Sequence, residues 1–190
     1  MKPRRTVSFG VALAVATAVA VAVASWTSAS KPGAFARVSN GGRVVRLRPD
    51  ALTRRLRIDK ASLLAMRGGR AYYLLETGNG PCAAVGTPDR PDQLGAAQCP
   101  QGHFPTADHP VLDLSVYESK SHDDQQIVLY RAEGIAADGV AAVQFLRPDG
   151  TPALTVPVIG NVYSTTAVPS GPIAGVAALD EGGKRVWRSP

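Results

Sequence analysis

Residues 70–85 read RAYYLLETGNGPCAAV, and the rest of the fold can be worked out from this stretch. Two short apolar runs, 71–75 and 82–85, flank the segment Thr77-Gly78-Asn79-Gly80-Pro81. Glycine and asparagine tolerate the positive φ angles that tight turns require. The pattern therefore predicts a β-hairpin whose second strand begins at Cys82.

Cys82 and Cys99 are the only cysteines in the chain, and we expect them to form a disulfide. They bracket residues 87–92, a polar segment without hydrophobic periodicity that needs an external constraint to be ordered. Their spacing differs from a C-x-x-C redox pair, and two cysteines are too few for a structural zinc site. The alternative is a pair of buried free thiols in a cytosolic protein, so the compartment matters.

The N-terminus has the pattern of an export signal. Lys2, Arg4 and Arg5 precede residues 7–24, an uncharged run made largely of Ala and Val. A positive segment followed by an apolar one is typical of a signal peptide, and the small residues ending at Ala24 favour cleavage there. Alternatively, residues 7–24 remain as an N-terminal hydrophobic helix that anchors the chain in the membrane. Either way, the remaining chain lies outside the cytoplasm, secreted or anchored.

Residues 25–36 are then interpreted as a linker, and residues 37–190 as a single extracytoplasmic β-rich domain. The net charge of +6 is unevenly distributed. Residues 31–70 carry eleven basic and two acidic side chains, whereas residues 71–190 carry seven basic and thirteen acidic ones. The positive charge is therefore a local property of the first part of the domain.

Six arginines make up most of this basic region: Arg43, Arg46, Arg48, Arg54, Arg55 and Arg57. Residues 43–48 and 54–58 alternate well enough to form two strands of a hairpin, although the leucines between 52 and 63 also suit a helix. The arginines either contact an anionic lipid or cell-surface polymer, or lie on a solvated face or against the acidic half of the domain. No aromatic residues interleave with them, which argues against nucleic acid as a partner.

The remaining patterns favour β-structure. Residues 59–66, closed by Gly68-Gly69, fit either a short helix or the first arm of a hairpin. Residues 100–110 are predicted to form a loop. Strands are predicted at 111–117, 127–131, 139–146, 153–159, 173–179 and 184–188. The last four form two hairpins of similar sequence that we expect in equivalent positions. This spacing predicts an antiparallel β-sandwich or a small barrel.

Several segments resemble uncharacterised exported or membrane-anchored proteins of high-GC bacteria. They are 70–73, the stretch from Cys82 to Cys99, Leu112-Asp113-Leu114-Ser115-Val116-Tyr117, 134–140, 156–158 and 161–163. The resemblance runs from about Ala61 to the C-terminus. It implies an immunoglobulin-like sandwich for the later strands and an extracytoplasmic location, and it supplies no catalytic residues.

Candidate chemistry is sparse. One cluster could ligate zinc or copper, since it combines imidazoles and carboxylates: His103, Asp108, His109 and Asp113. None of the familiar metal spacings is present. The chain also lacks G-x-S-x-G, S-x-x-K and nucleotide-binding glycine motifs, so we predict no catalytic residue and no cofactor.

The sequence thus favours a non-catalytic extracytoplasmic domain that binds an unknown protein or cell-envelope component, or contributes to envelope structure. Edge strands and the 86–110 loop are its expected contact surfaces. The alternative is a small secreted enzyme or metal-binding protein that uses His103 and His109. Five tyrosines are expected to fill the core with their hydroxyls at its edge: Tyr72, Tyr73, Tyr117, Tyr130 and Tyr163.

Overall fold

The structure is a computed structural model, and it describes residues 35, 37–39, 41–100, 104–119 and 127–189. The predicted export segment, His103, and all of the predicted linker except residue 35 lie outside the described residues. In the described ranges, the helix found is too short to span a bilayer.

One short helix and thirteen strands make up the regular structure of the described residues. In chain order they are β1 (Arg43–Val45), α1 (Ala51–Leu56), β2 (Ile58–Arg67), β3 (Arg70–Thr77), β4 (Gly80–Gly86), β5 (Leu94–Gln98), β6 (Val111–Asp113), β7 (Val116–Ser119), β8 (Ile127–Ala136), β9 (Ala142–Leu146), β10 (Pro152–Pro157), β11 (Val162–Thr165), β12 (Gly175–Leu179) and β13 (Arg185–Arg188).

The strands form three open, antiparallel sheets. The first has the order β1-β2-β3-β4-β5, the second β11-β8-β6, and the third β10-β9-β12-β13. β7 continues along the edge of β8 that β6 occupies. The prediction of a mainly β, antiparallel fold is confirmed, but the small-barrel alternative is wrong because the sheets do not close.

The second sheet is the middle layer of a three-layer stack. Successive residues of a strand point to opposite faces, and here both faces are buried. Leu112, Ile135 and Val162 pack against the first sheet. The residue beside each of these in sequence packs against the third sheet: Val111, Ala136 and Tyr163.

The outer face of the first sheet is covered by the segment between β1 and β2, which contains α1. Leu52 and Leu56 of α1 pack with Leu47 and Ile58 on a core that contains Tyr73. This burial explains why a six-residue helix is stable, since so short a helix gains little from its own hydrogen bonds.

Of the two alternatives for this part of the chain, the hairpin of residues 43–48 and 54–58 is wrong, and the helix is confirmed over Ala51–Leu56. Asp50 accepts the backbone N–H of Thr53 at 2.8 Å, and Thr53 Oγ1 accepts the backbone N–H of Asp50 at 2.9 Å. This capping box begins α1. β1 pairs with β2 instead, with Arg43 opposite Leu63 and Val45 opposite Ala61.

Other predictions are confirmed or corrected by the strand pairing. The hairpin of β3 and β4 is confirmed, and residues 59–66 are a strand rather than a helix. The predicted strand 111–117 is interrupted at Leu114 and Ser115, and the predicted 86–110 loop contains the edge strand β5. The two late hairpins are equivalent, because each places its first strand inside the third sheet and its second strand at an edge.

Candidate functional site

The disulfide closes the edge of the first sheet. Cys82 and Cys99 are bonded at a sequence separation of 17, and β5 pairs with β4 directly before Cys99. Leu94 of β5 is buried in the core under α1. Two backbone hydrogen bonds, Arg90 N–H to Thr87 O at 3.2 Å and Gln93 N–H to Arg90 O at 3.0 Å, order the segment between the strands. The disulfide is therefore a brace for an exposed edge.

A basic cleft lies beside α1. Its volume is about 650 Å³, and its lining combines three basic side chains, one acidic side chain and apolar groups, among them Arg46, Arg54, Lys60, Asp59, Leu47 and Ile58. Arg46 follows β1 and Arg54 belongs to α1, so the capping box at Asp50 is what turns the chain and brings the two guanidinium groups to one cleft.

All six predicted arginines are exposed, and one of them has an acidic partner. Arg48 Nε lies 3.4 Å from the Asp92 carboxylate, which agrees with the interpretation that the basic segment contacts the acidic half. Lys60 pairs with Glu76 at 2.7 Å. The other five make no ion pair within the described residues: Arg43, Arg46, Arg54, Arg55 and Arg57.

Asp113 is at the centre of a cluster of hydrogen-bonded polar side chains. Its Oδ1 accepts hydrogen bonds from the Tyr163 hydroxyl at 2.8 Å and the Ser115 N–H at 3.1 Å. The hydroxyls of Ser115 and Tyr117 also donate to this carboxylate. Burial, followed by the Asp113 charge, raises the pKa of both Tyr117 and Tyr163 well above 10, so both hydroxyls keep their protons and donate.

Gly134 makes this cluster possible. It is opposite Tyr163 in the β8–β11 pair, and a Cβ at this position would lie 2.4 Å from the Tyr163 hydroxyl oxygen and 2.3 Å from the Leu112 carbonyl oxygen. Any side chain there would displace the tyrosine. The glycine thus lets Tyr163 cross β8 and reach Asp113.

Asp113 also lines an open groove of about 400 Å³. We call this the Asp113 groove, and its main lining side chains are Asp113, Tyr117, Ile127, Ile173, Trp187 and Ser189. Tyr117 and Ile127 are 37% and 47% exposed, which is high for apolar side chains on paired strands. The groove therefore presents apolar surface to solvent beside a carboxylate that is already oriented.

Glu133 is a buried charge between the first and middle sheets. Its side chain is 1% exposed, and Oε2 accepts the Tyr72 hydroxyl at 2.8 Å. Arg70 Nε lies 3.5 Å away and an Arg131 guanidinium nitrogen 3.9 Å away. The Tyr72 hydroxyl is also hydrogen-bonded to Ser164 at 2.7 Å. Burial raises the pKa of Tyr72 to about 12, so its hydroxyl remains a donor.

The predicted metal ligands are only partly described. Asp108 and His109 are exposed in a turn that a Thr106–His109 bridge closes, whereas Asp113 belongs to the tyrosine cluster. Across the described ranges no group of three or more His, Cys, Asp or Glu side chains could hold a metal. His103 is outside those ranges, so the four-ligand site stays a prediction.

The tyrosine prediction holds for three of the five. Tyr72, Tyr73 and Tyr163 are fully buried, and each hydroxyl has a polar partner. Tyr117 and Tyr130 are exposed, and Tyr117 lines the Asp113 groove.

Sequence reasoning missed Glu133, Trp187 and Ser189. Glu133 had a usable signal, since it stands as the only acid in the apolar stretch IVLYRAEGIAA at 127–137. Trp187 was placed on a strand, but its neighbours across the molecule were not visible in the sequence.

Comparisons of the chain with protein-family models, curated proteins and solved structures find no match. Function is therefore inferred from the geometry of these sites.

Proposed function

We propose that this chain is a non-catalytic binding domain that works outside the cytoplasm and holds phosphate-bearing surfaces of the cell envelope through the basic cleft. Export by residues 1–24, as a cleaved signal peptide or a retained anchor, is part of the proposal. The Cys82–Cys99 disulfide supports it, because such bonds persist in oxidising compartments.

We also propose that the middle and third sheets form an immunoglobulin-like sandwich. Its support is the shared core, in which Phe145 of β9 and Tyr163 of β11 pack with ring centroids 6.3 Å apart. Two antiparallel sheets packed face to face around such a core are typical of this architecture.

The observation that carries the binding proposal is the group of five exposed arginines without an ion-pair partner in the described part of the chain. Arginine offers planar paired donors that match phosphate oxygens. Arg46 and Arg54 line one cleft, so both can contact the same anionic group.

Phosphate can come from a lipid headgroup or from a soluble or wall-linked polymer, and one experiment separates these sources. The full chain is titrated with vesicles of phosphatidylcholine with and without phosphatidylglycerol, and separately with polyphosphate. Because a basic side chain near an anionic surface contributes about 1 kcal/mol, the double variant R46A/R54A should bind about 30-fold more weakly.

The matched control is R90A/K184A, which removes the same charge at exposed positions that do not line the cleft. It should retain most of the binding. Equal losses in both double variants would mean that net charge alone attracts the anion, and would overturn the cleft as the site. Binding to neither probe would overturn the function.

A further inference from the structure

The Asp113 groove is separate from the basic cleft, with which it shares no lining residue. We propose that the Asp113 groove binds a neutral sugar, one pyranose unit of a glycan, with the ring packed against Trp187 and Tyr117 and its hydroxyls bonded to Asp113 and Ser189.

The apolar part of the groove suits one face of a sugar ring. A pyranose has a face of C–H bonds and a rim of hydroxyls, so it needs a flat apolar surface with polar groups at its edge. Trp187 lines the groove and also packs on the core between the middle and third sheets, which holds the indole in place. Ile127 and Ile173 extend the same surface.

The polar groups have capacity left for a ligand. Asp113 Oδ2 accepts only the Tyr117 hydroxyl among the described residues, and a carboxylate oxygen has two acceptor positions. Ser189 Oγ accepts the Val176 N–H at 2.9 Å and retains its own proton to donate. The groove thus offers an oriented acceptor and a donor.

The charges around the groove argue against other ligand classes. Asp113 would repel a phosphate or carboxylate. Arg188 lies near Gly175 of the groove lining, with its Nε 4.0 Å from the position that a Cβ on Gly175 would occupy, and it would oppose an ammonium group. An alkyl chain would cover the remaining acceptor position of Asp113 and the hydroxyl proton of Ser189 without bonding to either, which is costly. A neutral polyol ring carries no charge for Asp113 or Arg188 to repel, and its hydroxyls can bond to Asp113 and Ser189.

The experiment uses ligand-observed saturation-transfer NMR on the full chain. The probes are the methyl pyranosides of glucose, galactose, mannose and N-acetylglucosamine, with benzoate and tetramethylammonium as charged comparisons. We expect at least one pyranoside to bind saturably, and neither charged probe to compete with it. Saturable binding of tetramethylammonium or benzoate in place of every pyranoside would overturn the proposal, as would the absence of binding by all probes.

Two variants locate the binding. Gly175 lines the groove, lacks a positive φ, and a Cβ there would meet nothing closer than 3.4 Å, so G175L should fill the groove without disturbing the fold. We expect it to weaken pyranoside binding about tenfold or more, and W187A to do the same.

Gly182 has the same 3.4 Å clearance in the β12–β13 turn, and G182L is the matched control. Binding should be unchanged in G182L. A folded G175L protein that binds the sugar as tightly as the original chain would overturn the site.

Discussion

At the scale of single residues, Glu133 is the least exposed of the buried polar residues in the described structure. Burying a carboxylate costs several kcal/mol unless charges and hydrogen bonds compensate. Here the Tyr72 hydroxyl, Arg70 and Arg131 compensate together, and they come from β3 and β8. Glu133 therefore fixes how the first sheet lies on the middle sheet.

We expect Glu133→Ala to lower the free energy of unfolding by about 3–5 kcal/mol, because the change removes the buried carboxylate that Tyr72, Arg70 and Arg131 share and leaves two partly buried guanidinium groups without their counter-charge. Glu133→Gln should cost much less, since the amide oxygen still accepts from Tyr72 and both arginines can reach water. Urea denaturation followed by circular dichroism measures both.

Glu118→Ala is the matched control, because Glu118 is an exposed acid on the neighbouring strand β7. It should change stability little. If Glu133→Ala were as stable as the original chain, the carboxylate would not connect the two sheets.

At the scale of elements, local turn chemistry carried the successful predictions. The β3–β4 hairpin follows from Gly78-Asn79-Gly80, and the two late hairpins follow from their acidic-glycine turns. The sequence did not predict that β6, β8 and β11 form a sheet between the other two. Its strands are buried on both faces, so β8 shows no alternation from which a core face could be assigned.

The candidate sites were predictable only in part, for the same reason. The arginines and the disulfide are visible because each depends on residues close in sequence. The Asp113 groove joins β6, β7, β8, β12 and β13, and no local pattern encodes contacts of such range. Helix α1 was one of two alternatives that the sequence left open, and the capping-box residues Asp50 and Thr53 could have decided between them.

The segment 37–39 is a short element that Asp138 holds on the domain. Ser39 donates its N–H to Asp138 at 2.9 Å, and its hydroxyl donates to the same carboxylate. Arg37 lies 3.3 Å away, and the Asn161 amide donates at 2.9 Å. Burial acts to raise the pKa of Asp138, but these hydrogen bonds and the Arg37 charge outweigh it and hold the pKa below 3.8.

This lowered pKa predicts a pH dependence. A carboxyl group whose pKa is lower in the folded than in the unfolded state stabilises the fold at pH values above its unfolded-state pKa. That stability is lost as the pH falls through the folded-state pKa. We expect Asp138→Asn to cost about 1–2 kcal/mol near neutral pH and progressively less below pH 3.8. Urea titrations across this range measure the difference.

Asp108→Asn is the control, since Asp108 is exposed and has no hydrogen bond among those described. Its effect should be small at every pH. A cost of Asp138→Asn that stayed constant on acidification would mean that the charge of Asp138 does not hold the segment.

At the scale of the whole molecule, the three sheets differ in how many other sheets they pack against. The middle sheet contacts both others, so its loss would expose both cores at once. β5 pairs only with β4 at one edge of the first sheet. The disulfide is attached at that edge, directly after β5.

Reduction of Cys82–Cys99 should therefore loosen the edge before it affects the interior. By chain entropy, a loop of this length gives about 3 kcal/mol, so we expect a loss of that order in urea unfolding. Amide hydrogen exchange should quicken in β5 and residues 87–93, while β8 stays protected until the chain unfolds as a whole. The double variant C82A/C99A separates loss of the bond from any effect of the reductant. Equal acceleration in β5 and β8 would contradict this order, and would mean that the first and middle sheets open as a single unit.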